Sequence, residues 1–391
     1  MIGNEGGMHM AVWREKREQM EELLSPYAAK SVNSKGRLKE EAPCEIRTIF
    51  ERDAGRILHS PEFRRLRHKT QVFFNAKNDH ICTRMEHVLY VGSISTTIAR
   101  SLNLNQDLAN AIALGHDLGH APFGHTGERV LDKCLKKIDP SLEFHHEKHS
   151  LRVVDKLATR ISSTTDETIH GLNLSYEVRD GIVSHCGELF GEYQLKRNTQ
   201  KNMDTIYTDD HRHCFPYTLE GCIVRLVDKI AYVGRDLEDA IRAGLLTRGD
   251  LSPAVLNELG HTNAQIINTL VKDIIENSYG KDEIALTTAK GEAMKELLDA
   301  NTKYIYHSDK ITQYEKNTMN MLEGIFQSLY EATEDIEKLQ HSDLKVHRSF
   351  YDFIQQMEYD ANTPKEQLVV DFVAGMTDNY ATQCYEELFW F

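Results

Sequence analysis

The chain has 391 residues, 40% of them hydrophobic and 27% charged, which is the make-up of an ordinary soluble globular protein. A formal net charge of −14 makes an extended phosphate backbone a poor partner, although cations gathered in one pocket can still hold a small polyphosphate. No apolar run approaches the ~20 residues of a bilayer span, and the first residues lack the apolar core of a signal peptide, so a cytoplasmic protein is expected. The cysteines at 44, 82, 134, 186, 214, 222 and 384 contain no Cys-x-x-Cys pair. They read as free thiols, not as a disulfide framework or a thiolate zinc site.

Residues 1–43 read as a polar arm with one helix over 11–24, followed by a Ser-Pro and a Lys/Gly/Glu-rich linker. Residues 44–245 form the expected core, with an apolar period near 3.6. Ile94, Ile98 and Leu102, then Leu108 and Ile112, then Leu151, Val154 and Leu157 fit one-sided helices. Only 71–74 and 205–208 alternate as short strands would, and 159–175 and 187–218 are loop-rich. From 246 to 391 a helical region is expected to pack on the core, with helices over 253–258, 262–278, 288–301, 309–339, 343–359 and 364–390. The fold class expected is all-α.

The first stretch with chemistry is 83–91, TRMEHVLYV. Thr83 can cap a helix whose third position, Glu86, completes a capping box. Arg84 and His87, three apart, share a face. A histidine ligand beside a guanidinium suits a phosphoryl substrate, whereas a lone histidine there would be structural.

The most informative stretch is 115–128, GHDLGHAPFGHTGE, which holds His116, Asp117, His120, His125 and Glu128. A helix starting at Gln106 should end near Gly119, leaving His116 and Asp117 on its last turn. There they can converge on one divalent cation through nitrogen and oxygen donors. Taken alone they could equally be loop and capping groups. Further along, Leu219, Ile223, Leu226, Val227, Ile230, Leu237 and Ile241 make one apolar stripe. Arg225, Asp228, Tyr232, Arg235 and Asp239 fall opposite. That second face is either solvated or a source of a carboxylate ligand (Asp228), a cation (Lys229) and an aromatic (Tyr232).

In this order, a His, a His-Asp pair and a distant Asp resemble the H…HD…D pattern of HD-superfamily phosphohydrolases. The flanking blocks narrow the resemblance to the deoxynucleoside triphosphate triphosphohydrolases of the dGTPase type. Residues 56–73 are similar to the block that opens those enzymes, and H-D-L-G-H-x-P-F-G-H-x-G-E resembles their central motif. Residues 144–151, FHHEKHSL, and 371–381, DFVAGMTDNYA, resemble two later elements. Together the blocks span residues 46–381, most of the chain.

The resemblance implies an HD-domain helical core that cuts dNTPs at the α-phosphorus, leaving a deoxynucleoside and inorganic triphosphate. His87, His116, Asp117 and Asp228 would hold one divalent ion (Mn, Mg, Fe, Co, Ni or Zn). His125 would act at the departing 5′ oxygen with Glu128 orienting it, and His120 and His146 would contact phosphate oxygens. Arg84, Lys229 and Tyr232 would grip the triphosphate, with Gln71 and Asp236 at the deoxyribose. Relatives form homo-oligomers, often tetramers or hexamers, and some need a second dNTP at an allosteric site. They range from dGTP-selective to broadly active, so the base stays open, and His145 and the 187–218 insert depart from the family pattern. Two other readings remain. One is a different HD phosphohydrolase, such as a nucleotide monophosphatase or guanosine-polyphosphate hydrolase. The other is a nucleotide or nucleic-acid sensor, with Arg64, Arg65, Arg67 and Lys69 as a local basic patch.

Overall fold

The computed structural model describes residues 6–70, 82–161, 167–186, 191–208, 214–242, 246–306 and 309–390. The chain is all-α, 66% helical with 4% strand, and no helix among the described residues is long and apolar enough to cross a membrane. Among the described residues the strand is confined to two short antiparallel pairs, Thr159–Ile161 with Thr168–His170 and Gln194–Leu195 with Ile284–Ala285. Both pairs use stretches that read as loop. Of the two expected strands, 205–208 is instead a 3-10 turn, Thr205–Tyr207, because its polar ends are tied locally. Asn202 Oδ1 accepts from Asp204 N and Thr205 N. The other, 71–74, lies outside the described residues.

Local chemistry sets the helix starts. Thr48 and Glu51 form a full capping box on Ile49–Leu58. Ser60 caps Pro61–Arg65, with proline in the first turn where its missing N–H costs nothing. Asn105 Oδ1 accepts from Asp107 N and Leu108 N to start Gln106–Gly115. At Arg84–Ser101 the expected capping box is partly formed: Glu86 accepts from Thr83 N at 2.8 Å and from its hydroxyl. The expected helix over 364–390 is two, Lys365–Ala374 and Asp378–Phe389. Thr377 Oγ1 accepts from Tyr380 N and begins the second.

The residues group into two compact units, each made of three stretches. The first takes Met1–His59, His87–His116 and Leu172–Ser308. Its centre is a close crossing of Gln106–Gly115 with Tyr176–Val183. A Cβ on Gly181 would lie 2.4–2.9 Å from Ile112 side-chain atoms, and one on Gly115 would lie 2.5 Å from Ile182 Cδ1. Only glycine permits that approach. Leu219, Ile223, Leu226, Val227, Ile230 and Leu237 of the helix Leu219–Arg242 are buried as the stripe required. Arg225, Lys229 and Asp236 opposite are buried as well, so this face is not solvated. The N-terminal arm is stitched in by carboxylates. Arg37 and Ser175 N meet buried Asp53, and Glu220 accepts from Ala29 N and Asn105 N.

The second unit takes Ser60–Glu86, Asp117–Gly171 and Asp309–Phe391. Gly124–Ile138 buries Val130, Leu131 and Leu135 in a core with Phe326 and Leu329 of Asp309–Ala332 and with Val369 and Val373 of Lys365–Ala374. Asp371 is clamped there by both forks of Arg152 (2.7 and 2.6 Å), by Tyr359 Oη and by Gln367. Burial and that carboxylate push the Tyr359 phenol far up from its usual range.

Gly181→Ala should destabilise the chain by about 1–3 kcal/mol through overpacking, read from urea unfolding. Adding Ile112→Val should recover part of the loss, because the added methyl meets that side chain. Strict additivity of the two changes would refute the shared contact.

Candidate active site

In the first unit three helices bring expected ligands together. His87 stands in the first turn of Arg84–Ser101, His116 follows Gly115 at the end of Gln106–Gly115, and Asp228 lies midway along Leu219–Arg242. His87 Nε2 is 2.8 Å from Asp228 Oδ1, and His116 Nε2 is 3.7 Å from the same oxygen. The helix stops a turn sooner than Gly119. His116 Nδ1 lies 2.7 Å from Ala113 O, so the imidazole takes a carbonyl near the helix end. A carbonyl only accepts, so Nδ1 carries the proton and Nε2 keeps its lone pair. That is the tautomer a metal ligand needs. The facing imidazoles hold the Asp228 carboxyl well below its usual range, against the upward push of burial. Imidazole nitrogens and a carboxylate oxygen this close together are a donor set that suits a divalent cation.

Tyr232, one turn after Asp228, has its ring centroid 6.4 Å from that of His87. Lys229 is buried, and burial followed by the neighbouring Arg225 lowers its ammonium from the usual range. Asp236 is buried two turns beyond Asp228 on the same helix. Gln71 lies outside the described residues.

The second unit holds the other expected group. Arg84, 1% exposed, donates from Nη1 to Asp117 Oδ2 at 2.8 Å. Its Nε and Nη2 are buried and meet no hydrogen-bond partner among the described residues. His120 Nε2 is 3.1 Å from Asp117 Oδ1, and its buried Nδ1 likewise has no partner among the described residues. Burial first, then Arg84 and His146, keep His120 well below the usual histidine range, hence neutral. Its ring stacks on His146 with centroids 3.8 Å apart. Glu128 accepts from His146 N, and its oxygens lie 3.0 and 3.1 Å from His146 Nδ1. The same carboxylate is 3.2 Å from Nδ1 of His125, whose side chain is 63% exposed and so accessible to a ligand. Donor atoms of His120, His125, Glu128 and His146 all lie within 4.8 Å of one another.

The backbone holds this group in place. Phe123 has φ 61, a left-handed value uncommon for a bulky residue, at the start of Gly124–Ile138. Asp378 Oδ1 accepts from Phe123 N at 2.9 Å and fixes the turn that presents His125. Gly119 N donates to Ser150 Oγ, and a Cβ on Gly119 would strike Ser150 N at 2.1 Å. Lys69 is no surface phosphate contact. It is buried, and its ammonium donates to the carbonyls of His120 and Ala374. Arg65 is also engaged, with Glu62 and Gly375 O. The basic patch therefore reduces to Arg64 and Arg67, both exposed.

Comparison with known proteins identifies the family. Residues 84–233 match the HD domain and residues 284–387 the phosphohydrolase-associated domain. A deoxyguanosinetriphosphate triphosphohydrolase-like protein of Caldanaerobacter subterraneus subsp. tengcongensis is 40% identical over 377 residues, covering 96% of this chain and 95% of its own. Proteins of the same name from Desulfatibacillum aliphaticivorans and Clostridium tetani are 38% and 34% identical, each over 96% of this chain, with 97% and 96% of their own lengths covered. The chain belongs to the HD-domain, dGTPase-like triphosphohydrolase family.

Two histidine-neighbourhood residues of this family member escaped the sequence reading. His185 and Cys186 follow the helix Tyr176–Val183, and donor atoms of His116, His185 and Asp228 lie within 4.8 Å of one another. A Ser-His-Cys run after an apolar segment carries no ligand spacing, so only the fold reveals it.

Lys69 gives a pH prediction. Burial pushes its ammonium from 10.5 down to about 7. Between those values the unfolded chain binds the proton and the folded chain releases it, so this group's contribution to stability rises with pH across the window. In Lys69→Met the unfolding free energy should climb less between pH 7 and about pH 9 than in the parent chain. Equal slopes in denaturant titrations would refute a depressed Lys69.

Proposed function

We propose that this HD-domain protein hydrolyses dNTPs, dGTP or several, at the α-phosphorus to a deoxynucleoside and inorganic triphosphate. The observation that carries the reading is Arg84. Its guanidinium is buried against Asp117 with two nitrogens lacking partners among the described residues, an arrangement that an incoming phosphoryl oxygen would complete. His87, His116, Asp117 and Asp228 would hold one divalent cation (Mn, Mg, Fe, Co, Ni or Zn), which supplies Lewis-acid polarisation of a phosphoryl oxygen.

The chain's own groups then divide the work. Arg84, Lys229 and Tyr232 bind the triphosphate, and the Arg84 fork orients its oxygens. Gln71 and Asp236 contact the deoxyribose. His125 gives a proton to the departing 5′ oxygen from the ring nitrogen opposite Nδ1, which Glu128 orients. His146 shares Glu128 and keeps that carboxylate ionised, since its imidazole is the leading influence holding Glu128 below its usual range against burial. Neutral His120, with Nε2 turned to Asp117, keeps a lone pair on Nδ1, so it contacts a phosphate oxygen through a bridging water. Self-association into a homo-oligomer, with a second dNTP as activator, belongs to the same reading.

Anion-exchange analysis of products from each dNTP with Mn, Mg or Co should show inorganic triphosphate. Release of phosphate or pyrophosphate would instead make the chain another kind of HD phosphohydrolase. His125→Ala should lower kcat by ~10²–10⁴-fold with KM little changed, the size expected for a lost general acid. A drop confined to KM would remove His125 from proton transfer.

A further inference from the structure

The first unit holds one more imidazole, beside His116. His185 is buried at 2% exposure, and its Nδ1 lies 2.6 Å from Ile182 O. This repeats the relation of His116 Nδ1 to Ala113 O at 2.7 Å, a carbonyl three residues back in each case. By the same argument His185 Nδ1 carries a proton and Nε2 keeps a lone pair. The rings of His116 and His185 meet edge to face with centroids 4.9 Å apart. The turn bearing His185 is pinned. Arg225 Nη1 donates to Ser184 O at 2.9 Å, and Lys201 Nζ donates to Ser184 Oγ at 2.7 Å.

We propose that His185 is a further protein ligand of the cation held by His87, His116 and Asp228. Donors bound at ~2.1 Å to one ion sit about 3 Å apart when adjacent and about 4.2 Å apart when opposite. Donor atoms of His116, His185 and Asp228, all within 4.8 Å, need only a small closure to meet that condition. His185 Nε2 lies 3.3 Å from Cys186 Sγ, and a thiol is a weak partner that a cation displaces readily. Three imidazoles in the donor set favour the borderline cations from Fe to Zn over Mg, which prefers oxygen. The inference rests on the metal reading above.

The test uses the full chain loaded with Co²⁺. X-ray absorption should count three imidazoles in the parent chain and two in His185→Phe, which keeps a ring but cannot ligate. Calorimetry should show Co²⁺ affinity falling by ten-fold or more in His185→Phe, with Mg²⁺ affinity changed by less than three-fold. Two imidazoles in the parent chain, or unaltered Co²⁺ affinity in a folded His185→Phe, would overturn the assignment. The parent count stands even if that variant fails to fold. Asp228→Ala separates the two claims. If it loses Co²⁺ while the parent shows two imidazoles, the metal site stands and His185 drops out. If the parent chain binds no Co²⁺, both fall.

Discussion

An imidazole can ligate only through a nitrogen that carries no proton, and the backbone decides which nitrogen that is. At His116 the decision comes from Ala113 O, and at His185 from Ile182 O. Each histidine sits just past the end of a helix, where carbonyls have lost their in-helix donors. The ring replaces the missing N–H and, in doing so, points its remaining lone pair away from the helix. The two helices can bring these ends together because Gly115 and Gly181 remove the side chains that would hold them apart. A steric fact about two glycines thus sets the tautomer-locked rings side by side. Adding a methyl group there would shift both rings before it touched either histidine.

The second unit solves a different problem, that of keeping a histidine cluster neutral where it must be and its carboxylate charged. Burial alone would raise Glu128 and lower every imidazole. Two histidines on Glu128 reverse the first effect, and His120, wedged between Arg84 and His146, keeps the second. His125 is the exposed ring of this cluster, its side chain 63% accessible. A charged carboxylate, a neutral buried ring and an exposed ring are thus kept apart within one cluster.

The helical class was legible because the 3.6 period is strong and prolines are few, and the main site was legible because its residues crowd into 115–128. What escaped the sequence has physical causes. The strand pairs are only two or three residues long, too short for an alternation to register. The break at 375–377 is a single glycine followed by a threonine cap. Lys69 reads as surface charge beside three arginines, yet two carbonyls make its burial tolerable. The face of Leu219–Arg242 opposite the apolar stripe looks solvated by composition. It is buried because Arg225 finds Ser184 O and Glu192, partners far off in sequence. His185 is the extreme case, since nothing in its local pattern differs from a core histidine.

The 371–381 block supports the histidine cluster. Asp378 ties down Phe123 N through one oxygen and Thr70 N and Oγ1 through the other. It thereby fixes both the left-handed turn ahead of His125 and the backbone at Thr70. Asp371, one helix earlier, draws Arg152 inward at the end of His146–Arg152, the helix whose first residue is the partner of Glu128. A buried carboxylate is costly unless its hydrogen bonds are complete, and both of these are well supplied. The expense is repaid in position, because each carboxylate reaches a different end of the histidine cluster. The 371–381 block therefore works as scaffold for residues more than two hundred positions away.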